Sequence, residues 1–146
     1  MSECIRRVLK DAGLEFLPAQ YNKTGVHCEL TLIPEALRNL VEKLKVHGFF
    51  LESVTAVDKI DDDLIEGWYL FNHYDEAARL QIKIPTPRLK PVLPSIAAIY
   101  EGAVWHEREA AEFFGITFEG ATDTRHLLLP ENAEFHPLRK DFSLRA

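Results

Sequence analysis

Residues Val26–Val57, VHCELTLIPEALRNLVEKLKVHGFFLESVTAV, decide the fold class. Over Val26–Ile33, apolar Val26, Cys28, Leu30 and Leu32 alternate with His27, Glu29 and Thr31. Successive side chains of a strand leave on opposite faces, so this alternation predicts a half-buried strand. Pro34 suits the first turn of a helix, where its missing N–H costs nothing. Leu37, Leu40, Val41 and Leu44 then supply a helical stripe that stops at Gly48. Phe49–Val57 is apolar enough for an interior strand. Strand, helix and strand in one short stretch predict a sheet with helices packed on it.

Working outward, Ile5, Val8, Leu9 and Ala12 predict a short N-terminal helix ended by Gly13, and Glu15–Gly25 reads as loop with a short extended piece. The acidic run Asp58–Glu66 predicts a solvated loop. Trp68–Tyr74 and Arg79–Ile84 read as two arms of a hairpin, the second wet on one face and placed at a sheet edge. Pro85, Pro87, Pro91 and Pro94 are expected to exclude regular structure, because proline fixes its own backbone and restricts the residue before it. Ser95 is expected to cap a short helix to Tyr100, and Gly102 to separate it from the next one. The expectation is a single α+β domain with a small mixed or antiparallel sheet of three or four strands packed with helices. Residues 1–118 would form the core domain, including a helix over 103–114, and 119–146 an irregular C-terminal tail.

Composition narrows the function classes. The chain of 146 residues is 47% hydrophobic and 27% charged, enough to bury about 70% of its unfolded surface in one core. A formal charge of -6 disfavours nonspecific binding to nucleic acid or anionic lipid, both of which attract basic surfaces. No apolar run approaches a membrane span, and MSECIRRVLKDAG is too charged for a secretory signal. Cys4 and Cys28 are too few and too far apart for an iron–sulfur cluster or a four-cysteine zinc site, and read as reduced thiols.

The other informative stretch is Val104–Phe142, VWHEREAAEFFGITFEGATDTRHLLLPENAEFHPLRKDF. It opens as a charged helix that Gly115 stops and continues with no sustained period, yet it holds Phe118, Leu127, Leu128, Leu129 and Leu138 beside Arg125, Arg139 and Lys140. Irregular chain of that length in a compact domain is functional or disordered, and the apolar content argues against disorder. Its expected use is docking. Within the helix, Val104, Glu107, Ala111 and Phe114 share one face, so Glu107 reads as a carboxylate drawn into an interface that needs an arginine or a helix-end donor. Arg108 and Glu112 are spaced to pair. Arg125, Arg139 and Lys140 suit either a partner or clamps that hold the tail to Glu107, Glu109 or Asp123.

Catalytic readings are weak. His106-Glu107 begins the H-E-x-x-H zinc motif, but the position of the second histidine is Ala110. Glu107 and Glu109, two apart, cannot face one substrate from one helix face. The sequence has no phosphate-binding glycine loop, dinucleotide fingerprint or nucleophile elbow.

Three blocks in order, EREAAEFFGITFEG, DTRHLLLPE and HPLRKDF, closely resemble the signature of the 30 kDa (C-type) subunit family of respiratory NADH:quinone oxidoreductase, complex I, which has relatives in energy-converting membrane-bound hydrogenases. The likeness extends upstream through Val54–Asp58, Tyr69–Tyr74 and Leu93–Ile96. It implies a noncatalytic subunit of the hydrophilic arm that binds no cofactor, with NADH, quinone and iron–sulfur clusters (or nickel–iron) on partner subunits. The implied partners are a large hydrogenase-like subunit and other hydrophilic-arm subunits, with no nucleic acid and no direct membrane insertion. The implied place is the cytoplasmic side of the inner membrane, held there through the complex.

By this resemblance Glu107, Arg108, Glu109, Phe114, Gly115, Phe118, Glu119 and Gly120 belong to the signature helix and its exit. Asp123, Arg125, Leu128, Leu129 and Pro130 belong to the second block, and Pro137, Leu138, Arg139, Lys140 and Asp141 to the third. The chain departs from the family where G-H-P-D-L-R-R is common, having Gly120-Ala121-Thr122-Asp123-Thr124-Arg125-His126 instead. Its compact end, without the extension of some relatives, keeps an energy-converting hydrogenase open beside complex I. A free-standing hydrolase using the His106/Glu107 cluster is the alternative from another class, and a homo-oligomeric binding module a third.

Overall fold

The computed structural model describes residues 2–144; positions 145 and 146 of the expected tail lie outside the described residues. Helix α1 (Glu3–Asp11) leads into strand β1 (Leu17–Pro18), the short helix α2 (Tyr21–Thr24) and strand β2 (Cys28–Thr31). Helix α3 (Pro34–Val46) carries the chain to β3 (Phe49–Lys59), and β4 (Leu64–His73) and β5 (Arg79–Pro87) follow. Strand β6 (Val92–Pro94), helix α4 (Ala103–Phe114) and strand β7 (Thr117–Glu119) follow among the described residues. The α+β class and mixed sheet agree with the sequence reading, with five strands in the main sheet and a further pair, β6 with β7, rather than three or four strands in all.

The main sheet runs β1-β2-β5-β4-β3. Strands β3, β4 and β5 are antiparallel neighbours, whereas β2 joins β5 in parallel. One face carries Cys28, Leu30, Val54, Ile65, Tyr69, Phe71, Leu80, Ile82 and Ile84, all buried. The stripes of α1 (Ile5, Val8, Leu9) and α3 (Leu37, Leu40, Val41, Leu44) cover that face and are themselves buried. The opposite face is half-exposed and tied by ion pairs: Arg79 with Glu52, Lys83 with Glu29 at 3.1 Å, and Lys59 with Glu66 at 2.9 Å.

Four expectations need correction, each for a physical reason. Arg79–Ile84 is not an edge but the middle of the sheet, because the period-two pattern that makes one face wet says nothing about neighbours along the ladder. The prolines do not exclude strand. The backbone polar groups of Arg79 and Lys83 point to β2, taking His27 and Leu32 N–H at 2.8 and 3.0 Å. Strand alternation therefore turns Pro85 and Pro87 to the same side, beyond the end of β2, where no ladder bond is lost. Asp58–Glu66 is not a solvated loop: β3 and β4 close around a single 3-10 turn, Ile60–Asp62, and Asp58 and Glu66 at its flanks are buried by pairing with Arg88 and Lys59. Ser95–Tyr100 is one turn rather than a helix, with Ile99 and Tyr100 N–H both on the Ile96 carbonyl at 3.0 Å, although the Ser95 hydroxyl does accept Ala97 N–H at 3.2 Å.

Gly67 locks the two sheets together. A Cβ at this β4 position would lie 2.5 Å from Leu93 Cδ1 of β6 and 3.2 Å from the Tyr69 ring, and Leu93 and Tyr69 are fully buried. Gly67→Ala is expected to lower the urea midpoint at unchanged m-value, by about 1–3 kcal/mol of stability as overpacking usually costs. Leu93→Ala should recover part of that loss in the double variant.

Candidate functional site

Helix α4 is the post around which the tail is wound. Its buried positions are Ala103, Glu107, Ala110, Glu112 and Phe114, so two carboxylates point inward. Glu107 is 3% exposed, and its two oxygens take the Ser95 hydroxyl and the Ile96 N–H, both at 2.7 Å. The expected donor is therefore the head of the Ile96–Tyr100 turn rather than an arginine. Burial raises the Glu107 pKa, against the lowering by those two donors and by Arg38. Its linkage sign is opposite to that of an ordinary salt-bridged acid: this group favours the fold more when protonated, and the contribution fades as pH rises through its folded value.

Glu112, also 3% exposed, is the residue the sequence reading misassigned. It does not pair with Arg108. Its carboxylate accepts three consecutive tail amides, Leu127, Leu128 and Leu129 N–H, at 2.9, 2.8 and 3.2 Å. Arg108 instead donates to the carbonyls of Arg125 and His126 at 2.8 and 2.9 Å and lies 3.6 Å from Asp123. Thus α4 offers an acceptor to the tail's N–H groups and a donor to its carbonyls, a turn apart. An irregular segment has no ladder of its own, and its backbone groups must find such partners.

The end of α4 is closed by the same tail. Gly115 takes the left-handed backbone (φ 74°), its N–H on the Ala111 carbonyl at 2.9 Å. His136 Nδ1 donates to the Glu112 carbonyl at 2.9 Å and Leu138 N–H to that of Phe113 at 3.1 Å. A last anchor lies at the sheet. Asp58 takes Arg88 through two bonds of 2.7 and 3.0 Å and Lys140 N–H at 2.8 Å. Arg88 reaches Asp141 at 2.9 Å, and the Arg139 guanidinium donates to the Arg88 carbonyl.

The sequence-predicted residues thus separate by role. Phe114 and Phe118 are core, while Glu119 offers its carbonyl to Arg38 and Ser95 N–H, each at 2.9 Å, and Gly120 turns the chain out of β7. Arg125 pairs with Asp123 at 2.8 Å as one of the expected clamps, but no tail cation reaches Glu107 or Glu109 among the described residues. Pro130 accepts from His126 Nδ1 at 2.8 Å, and Arg139, Lys140 and Asp141 sit on the Arg88–Asp58 anchor. Glu109 is exposed and Pro137 half-buried. Leu128 and Leu138 are 66% and 53% exposed, beside Trp105 at 59% and Phe135 at 46%. Asp58, Arg88 and Arg38 also carry the tail but were not singled out, and Glu112 was read only as a partner for Arg108; the arginine just after a proline-rich strand was the available signal for the second anchor. Among the described residues no three His, Cys, Asp or Glu side chains gather into a metal-ligand set, so the H-E beginning at His106 stays an isolated dipeptide.

Residues 27–146 match the family model described as the respiratory-chain NADH dehydrogenase, 30 Kd subunit. The chain belongs to this family. The C-type subunit of NADH-quinone oxidoreductase from Moorella thermoacetica is 34% identical over 84% of this chain and 85% of its own length. The corresponding subunit from Roseiflexus sp. is 36% identical over 99% of this chain and 83% of its own. A Methylococcus capsulatus relative, a C/D-type subunit of NADH-quinone oxidoreductase, is 34% identical over 79% of this chain but only 21% of its own length. Among solved structures, a chain of the archaeal membrane-bound sulfane sulfur reductase superposes with TM-score 0.83 at 24% identity, covering 97% of this chain and 85% of that one. A trypsin-resistant fragment of Nqo5 gives TM-score 0.68 at 23% identity over 82% and 98%. Family membership makes this chain a subunit of complex I or a related membrane respiratory complex. No helix among the described residues is long and apolar enough to cross a membrane.

Two outcomes follow from the anchors. Glu112→Ala is expected to abolish hydrogen-exchange protection at the Leu127, Leu128 and Leu129 amides while β4 and β5 amides keep theirs, since buried donors left without an acceptor expose the segment to opening. Arg88 holds Asp58 and Asp141 below the usual carboxylate range. A lowered folded pKa gives stability that is complete above the unfolded value of about 3.9 and lost as pH falls through the folded one. Amides of residues 138–142 should therefore lose protection on acidification below about pH 4, and Asp58→Asn should remove that protection at neutral pH.

Proposed function

We propose that this chain is a noncatalytic docking and scaffold subunit whose tail and α4 form the seat for the hydrogenase-like large subunit of its complex. The observation that carries this reading is the tail's construction. It is anchored through its backbone by Glu112, Arg108 and Asp58 and through the His136 side chain on the Glu112 carbonyl, while Leu128, Leu138 and Phe135, and Trp105 on α4, are exposed. A segment that folds for its own burial would do the reverse. Ordering the tail before assembly removes much of the entropic cost of binding, and the outward aromatic and leucine side chains have the character of interface anchors.

The C/D-type relative supports the reading. There a C-type sequence is joined in one polypeptide to a much longer D-type one. In the proposed assembly the NADH, quinone and iron–sulfur chemistry lies on partner subunits. This chain shapes and steadies its neighbour on the cytoplasmic side of the inner membrane, without inserting into it.

Leu128→Asp combined with Leu138→Asp tests the seat, because both side chains are exposed and charge there leaves the fold intact. Tagged wild-type and variant chains would be purified from gently solubilised native membranes, with the large subunit quantified by mass spectrometry. Retention at least tenfold lower at unchanged melting temperature is expected. Equal retention would place the partner elsewhere. The membrane subunits that co-elute with the wild type distinguish a quinone reductase from a hydrogenase-type assembly.

A further inference from the structure

Between α4, β7 and the tail lies a half-open cavity of about 340 Å³, at the lower end of the range for small-molecule sites of roughly 300–1,000 Å³. This is ample room for an inserted side chain. Its charged lining is Glu107, Glu112, Asp123 and Arg108, with His126 and His136 at its sides: three carboxylates against one guanidinium. Most of that charge is already engaged. Glu112 is filled by three tail amides, Asp123 is paired with Arg125, and Arg108 is held by two carbonyls and Asp123.

Glu107 differs. Both of its hydrogen bonds come from neutral donors, Ser95 and Ile96, and among the described residues no cation lies within ion-pair distance of it. The guanidinium whose charge it feels, Arg38, is spent on the carbonyls of Ser95 and Glu119 at 3.2 and 2.9 Å. A carboxylate removed from water without a counter-ion is costly, and here it sits on the wall of a cavity that opens outward. The remaining walls are mainly apolar, Ala111, Ile116, Phe118 and Ala121, with Thr117 and Thr124 among them. An apolar throat with a carboxylate in its wall suits a long side chain that has a methylene stem and a cationic head. Arginine fits best, since its guanidinium is planar, weakly hydrated and matched to carboxylate geometry.

We infer that this cavity receives an arginine side chain of the partner subunit, with Glu107 as its counter-ion. The inference rests on the docking reading above and adds the chemistry of the central contact. Insertion would also fix register, because a single pocketed guanidinium admits one placement of α4 on its neighbour.

The test uses the assembled complex. Tagged wild-type, Glu107→Gln, Ala111→Leu and the control Glu42→Gln, exposed on α3, are purified from solubilised native membranes, and the large subunit retained per tagged chain is measured. Glu107→Gln keeps the shape and an acceptor, and Ala111→Leu fills the cavity with a good helix former. Both are expected to retain at least tenfold less large subunit at unchanged melting temperature of the isolated chain, while Glu42→Gln retains the wild-type amount. Phenylglyoxal, which modifies accessible arginine, should spare one large-subunit arginine in the wild-type complex and label it in whatever complex Glu107→Gln still forms.

Wild-type retention by both variants, or no arginine that changes reactivity, would overturn the inference and leave the docking reading standing. A lowered melting temperature for Glu107→Gln together with full retention by Ala111→Leu would make Glu107 a residue of the fold alone and overturn it too. Failure of the wild type itself to retain a large subunit would instead remove the docking reading on which the inference rests.

Discussion

The rest of the structure depends on one constraint: a long stretch of irregular backbone must have its N–H and C=O groups satisfied without a ladder. Glu112 meets the largest part of it by taking three consecutive amides on one buried carboxylate. Arg108, one turn earlier on α4, takes two carbonyls. Charge-assisted bonds of this kind are roughly twice as strong as neutral ones, which lets two side chains fix a segment that buries little of its own apolar surface. The orientation of α4 therefore decides the course of the tail. In turn α4 is fixed by Glu107 under the Ser95–Ile96 turn and by Phe114 in the core.

The sheet contributes a second fixed point rather than a site of its own. Asp58 and Arg88, at neighbouring ends of β3 and β5, form a buried pair that reaches the tail's backbone at Lys140 and its side chain at Asp141. With anchors at α4, at its C-terminal carbonyls and at the sheet, the tail's course is fixed, and Leu128 and Leu138, whose backbone N–H groups are among the anchored ones, leave their side chains exposed. That geometry leaves exposed leucines on a fixed backbone, the feature on which the proposed docking role rests.

Much of this was legible in the sequence, and the pattern of success is physical. Periodicity located α1, α3, β2 and the second hairpin arm, because burial on one face writes itself into spacing, while apolar content marked β3 and Gly115 the stop of α4. It did not reveal that Arg79–Ile84 is interior, since position in the ladder leaves no trace in a period-two pattern. Proline at Pro85 and Pro87 misled for the same reason: whether a lost donor matters depends on which side β2 ends. At the site, spacing suggested that Arg108 and Glu112 pair with each other, as neighbours on a helix face often do. The tail's backbone outcompeted that pairing, and such side-chain-to-backbone bonds have no sequence signature. Asp58 looked like one more acid in a solvated run. The three-block resemblance, by contrast, pointed to α4 and the tail without saying what any one residue holds.

The measurement that bears most directly on the central claim is a structure of the assembled complex by electron cryo-microscopy, at a resolution that places side chains. The account predicts α4 and the tail against the large subunit, with Trp105, Leu128 and Leu138 buried in that interface and the tail in the course it already follows in the free chain. A large subunit seated on another face, with these three side chains in solvent, would contradict it. So would a tail that leaves Glu112 and takes up a different path on assembly.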